Sequence, residues 1–69
     1  MNTLNLETVA KHFVRTSIAL TQAKNTQQFE LIRQDNFKWC TELCKLSKDG
    51  INTKEEVNAE IAKQQKLQG

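Results

Sequence analysis

Phe29 to Leu46 reads FELIRQDNFKWCTELCKL. Phe29, Ile32, Trp39, Cys40, Leu43, Cys44 and Leu46 recur at intervals of three, four and seven, so on a helix they share one face, with Phe37 at its edge. Lys38, Glu42 and Lys45 fall on the opposite side. The spacing predicts an amphipathic helix. Lys45 and Lys48 stand in its last turn, where cations oppose the negative end of the helix dipole. Gly50 then supplies a left-handed stop, and Ile51 is expected to fold back onto the helix.

The same period appears on both sides. Leu6, Val9, Ala10, Phe13, Val14, Ile18 and Leu20 gather on one half of a first helix, with Thr8, Lys11, Arg15 and Gln22 opposite. Thr3 or Asn5 can cap its first amides. Lys24, Asn25 and Thr26 break the pattern, and the apolar stripe changes phase across them by about 100°. A turn capped by Asn25 or Thr26 is expected there; without Gly or Pro at that point, one continuous or kinked helix is the alternative. Downstream, Thr53 and Glu56 have the spacing of a capping box. They open a third helix whose apolar side is thin: Val57, Ile61 and Leu67, helped by Ala59 and Ala62. Gln64 to Gly69 is expected to fray.

The fold class that follows is all-α: a helical hairpin plus a short third helix, bundle-like, in a single domain over 1–69. The chain lacks proline and has only two glycines, so few residues break helices. At 69 residues it buries roughly 60% of its unfolded surface, which is marginal for an isolated domain. Small scaffolds gain stability from a disulfide, a metal or a partner subunit. Cys40 and Cys44 are four apart on one helix, where a bridge would strain the backbone, and His12 alone is too little for a metal site. Self-association is the remaining source of burial.

Composition narrows the function further. The net charge is +2, so no strong field draws the chain to nucleic acid or acidic lipid. Asn and Gln fill about a fifth of it, above ordinary usage. The first ten residues carry Glu7 and no apolar run, unlike a signal peptide. No stretch approaches the roughly 20 apolar residues of a membrane span. With two thiols that read as reduced, the expected location is cytoplasmic.

Reactive groups are scattered. Cys40 and Cys44 miss the C-x-x-C spacing of redox and zinc sites, and as apolar packing residues they need no other role. His12 reads as a solvated or boundary histidine. Glu30, Asp35 and Glu42 are spread along one helix, and Glu55, Glu56 and Glu60 lie at a helix start and its exposed face. Phosphate loops, nucleophile elbows and H-E-x-x-H are absent. An enzyme is not expected, nor any cofactor or metal.

Several residues remain as interaction candidates. Trp39 is the natural anchor of an interface, unless it is taken by the core. Asn36 falls inside the helix-two stripe. Across a symmetric dimer it would set the register; otherwise solvent wets it at the stripe's edge. Leu31 points away from the stripe, as an isolated exposed leucine or as part of a contact patch with Phe37. Phe13, Leu20, Leu31, Asn36, Trp39 and Leu43 are therefore the expected protein-contact residues. Gln34, Lys38, Thr41, Lys45 and Lys48 form an acid-free strip suited to phosphates, or an ordinary solvated face. Phe29, Phe37 and Trp39 are expected on the apolar side, which leaves few aromatics to stack on bases.

The reading that covers most of these features is a small non-enzymatic protein-interaction module, an adaptor or inhibitor that binds itself and a larger protein. In size and composition it is comparable to small bacterial or phage accessory proteins, an analogy only. The alternatives are a nucleic-acid-binding regulator using Lys38, Lys45 and Lys48, and an amphipathic protein that coats a surface with helix one, where Lys11 and Arg15 oppose Phe13, Val14 and Ile18.

Overall fold

A computed structural model describes residues 5–69. Its order is α1 (Leu6–Thr21), α2 (Thr26–Lys48) and α3 (Lys54–Gln68). The helices pack against one another in a bundle-like arrangement with no strand among the described residues. The third helix is the shortest, at 15 residues against 16 in α1 and 23 in α2.

Local chemistry explains each boundary. Asn5 caps α1, its side chain accepting from the Thr8 amide at 2.8 Å; Thr3, the other candidate cap, lies outside the described residues. The first turn of α2 repeats the device, with Asn25 accepting from the Gln28 amide at 2.8 Å. Gln28 reaches back in turn and accepts from the Lys24 amide at 3.0 Å. These two side chains end the possibility of one continuous helix: they satisfy amides that a helix through the 22–25 turn would need for itself.

The end of α2 is a Schellman motif. The Gly50 amide donates to the Ser47 carbonyl and the Ile51 amide to that of Leu46, with Gly50 at φ +73°. That pairing satisfies the last carbonyls and needs a left-handed residue at its centre. The backbone of Ile51 folds back onto α2, but its side chain does not; it stays 65% exposed. At the start of α3 both halves of the capping box form, Thr53 accepting from the Glu56 amide and Glu56 from the Thr53 amide.

α1 is the central element. It packs against both other helices, whereas α2 and α3 touch only sparsely. The core joins Val9 and Ala10 of α1, Leu43 and Leu46 of α2 and Val57 of α3, with Leu6, Phe13, Trp39 and Ile61 packed around it. This is a thin core. Phe29, expected on the buried stripe, is 41% exposed, because it lies in the first turn of α2 beside the 22–25 turn, where α1 has already ended. Phe37, at the stripe's edge, is 68% exposed.

The C-terminal segment is docked rather than frayed. Gln64 is buried and donates to Glu60 at 2.9 Å. Gln68 donates to the Lys11 carbonyl of α1 at 3.0 Å. Gln68 thus ties the last turn to α1 where the apolar pattern is weakest, while the Gln64 bond lies within α3.

Candidate interaction groove

Where α2 and α3 part, an open groove of about 390 Å³ lies over α1. Phe13 of α1 lines it, with Cys40, Leu43, Cys44 and Ser47 of α2 on one side and Val57, Asn58 and Ile61 of α3 on the other. Lys48 and Lys54 stand at the end where the two helices meet through the 49–53 connection. No acid contributes to this lining. The groove is thus apolar with a basic end, of a size that accepts a few large side chains.

The groove exists because of where α3 lies. Val57 is buried in the core and Ile61 packs beside it, so α3 is anchored on α1. Its other flank leaves Cys40 and Cys44 of α2 partly uncovered. Both thiols are free, Cys40 half-buried and Cys44 exposed. Burial, then the neighbouring Cys44, push the Cys40 thiol above its ordinary range. Such a thiol is a poor nucleophile near neutral pH, so Cys40 serves here as a wall.

The expected contact residues are distributed as follows. Phe13 and Leu43 meet in the groove, and Lys48 joins them at its end. Leu43 is otherwise core, 5% exposed. Leu20 is half-buried on α1 and Leu31 is exposed on α2, both outside the groove. Trp39 packs against the core and stacks on His12, with ring centroids 4.6 Å apart and planes inclined by 17°. His12 is therefore an aromatic packing partner of α2.

The Asn36 amide nitrogen finds its partners within the chain. Nδ2 donates to the Thr16 and Ser17 hydroxyls, both at 2.9 Å, and to the Phe13 carbonyl at 3.2 Å. The NH2 group is thus met within the chain, without a second copy, while the residue itself is only half-buried.

The lysine strip on α2 is continuous and exposed, but two of its members lean toward neighbours. Lys38 lies 5.3 Å from the Trp39 ring centroid, and Lys45 is 3.7 Å from Glu42. Among the described residues no group of three metal-ligating side chains converges, and no helix is long and apolar enough to cross a membrane.

The groove was hidden in the sequence. Cys44, Asn58 and Ile61 come from two helices whose separation no local pattern encodes. The one available signal was the width of the α2 stripe, which reaches to Cys44 and Phe37 and exceeds what α1 alone can cover.

No protein-family model, no curated protein and no solved structure matches this chain.

Proposed function

We propose that this chain is a small non-enzymatic helical interaction module, an adaptor or inhibitor that binds a larger protein and also associates with itself. The observation that carries the reading is the groove between α2 and α3, apolar along its length and basic at one end. An apolar hollow with few polar groups suits the side chains of another protein's helix or loop. Phe29, Leu31 and Phe37 add exposed apolar surface elsewhere on α2. The free thiols suit a reducing compartment, which favours the cytoplasm.

Asn58 is an exposed residue of the groove lip, so Asn58→Arg blocks the groove without touching the core. The immobilised chain is expected to retain a protein from its native lysate that the variant releases. Retention of the same proteins by both, or of none by either, overturns the reading.

A further inference from the structure

One face of α2 carries a projection, a hollow and two unlike charged ends. Glu30, Phe37, Cys44 and Lys48 follow one another at steps of seven, seven and four, which returns each to the same side of the helix. Phe37 is 68% exposed. Two turns on, Cys44 lines the groove. Glu30 is half-exposed at one end of the strip, while Lys48 lies at the other with Lys54 nearby on the groove lining.

We propose that the occupant of the groove is Phe37 of a second copy, in a twofold dimer whose two α2 helices run antiparallel. The proposal rests on the reading of the groove as a protein-binding surface and names what fills it when no larger protein does. A twofold interface must be self-complementary: if residue i meets residue j, then j meets i. A projection and a hollow on one face, two turns apart, meet that requirement when the axis passes between them. Each Phe37 then enters the hollow beside the partner's Cys44.

The charges select the direction. Antiparallel pairing in this register leaves Glu30 three positions, about 4.5 Å along the axis, from the partner's Lys48 at both ends of the interface, within the reach of a lysine side chain. Parallel pairing sets Glu30 against Glu30 and Lys48 against Lys48. Within one chain these two residues are 18 positions apart on a single helix, or about 27 Å, so they cannot pair with each other. Glu30 already accepts from Arg33 at 3.0 and 3.2 Å, and a carboxylate has acceptor sites beyond those two.

Sedimentation equilibrium on the 69-residue chain tests this, with far-UV circular dichroism confirming unchanged helicity. The wild type is expected to be a dimer. Phe37→Glu should weaken it about 30-fold or more, as for a central aromatic anchor. Lys48→Glu should weaken it less, and Glu30→Lys added to Lys48→Glu should recover most of that loss. Since no wild-type contact joins the two positions within a chain, recovery reports contact between chains. A wild type that stays monomeric overturns the dimer, as does one that Phe37→Glu leaves intact or a charge swap that fails to recover. A monomer that still retains a protein through an Asn58-sensitive surface overturns this inference alone; a dimer with the stated sensitivities that retains no other protein overturns only the larger partner.

Discussion

Asn36 Nδ2 donates to Thr16 Oγ1 at 2.9 Å across the α1–α2 contact, twenty residues away in the chain. The geometry fixes who gives and who receives. Thr16 Oγ1 lies 3.0 Å from both the His12 and Phe13 carbonyls, and Ser17 Oγ lies 2.8 Å from that of Phe13. Each hydroxyl directs its one hydrogen at its own helix and presents a lone pair to Asn36. The amide therefore ties α2 to one turn of α1 and sets the register of the hairpin. Asn36→Ala is expected to destabilise the fold by about 1–2 kcal/mol. Thr16→Val should cost less, because Ser17 and the Phe13 carbonyl remain as acceptors. Urea unfolding of the two variants and their double should show non-additive losses; strictly additive losses would mean that the pair is not coupled.

Gly50 offers a test of backbone conformation free of side-chain packing. A Cβ added there meets nothing within 4 Å. The cost of Gly50→Ala is then the left-handed φ alone, about 1 kcal/mol, and Gly50→Asn should cost less because asparagine tolerates that region. Thermal unfolding should rank the three as Gly, Asn, Ala. Alanine matching glycine would show that the Schellman turn does not hold in solution.

The start of α3 depends on two reciprocal bonds. Thr53→Ala removes the acceptor for the Glu56 amide and should cost about 1 kcal/mol. Because α3 supplies Val57 and Ile61 to the core and the groove, loss of its first turn should also raise hydrogen exchange at both. Thr53→Ser should restore the bond and the protection. Equal exchange in wild type and Thr53→Ala would separate the cap from the groove wall.

The two cysteines should react in order. Cys44 is exposed and Cys40 is half-buried, and burial raises the Cys40 thiol above its ordinary range. The thiolate is the reacting form, so at pH 8 a maleimide should label Cys44 first. In Cys44→Ser the remaining Cys40 should label slowly, and faster as pH rises or urea opens the fold. Linkage has the matching sign. The folded state disfavours the Cys40 thiolate, so this contribution to stability is full below the unfolded thiol's pKa and falls as pH rises through the raised folded value. Equal labelling rates at the two positions would contradict the assigned burial.

What could be read from the chain and what could not divide along a physical line. The helices, the Asn5, Asn25 and Thr53 caps, the Gly50 stop and the 22–25 break all depend on residues within about four positions of one another, the reach of a helical turn. Local spacing therefore determined the helices, the Thr53 cap and the Gly50 stop, and narrowed the other starts to Thr3 or Asn5 and to Asn25 or Thr26; the choice of Asn25, and of a break over a continuous helix, came with the structure. Nothing local says how three amphipathic rods share one thin core. Phe29 belongs to the α2 stripe by periodicity and Phe37 to its edge, yet both are exposed: α1 has ended beside Phe29, and α3, anchored on α1, covers only the far end of α2 beyond Phe37. Asn36 finds its acceptors, and His12 its partner ring, only once α1 and α2 lie side by side. Gln68, bonded to the Lys11 carbonyl of α1, holds a segment whose apolar pattern alone is too weak to dock. The groove is the gap left by that arrangement, and it was settled by the tertiary packing, because a gap between two helices is a property of their separation and of neither helix's own sequence.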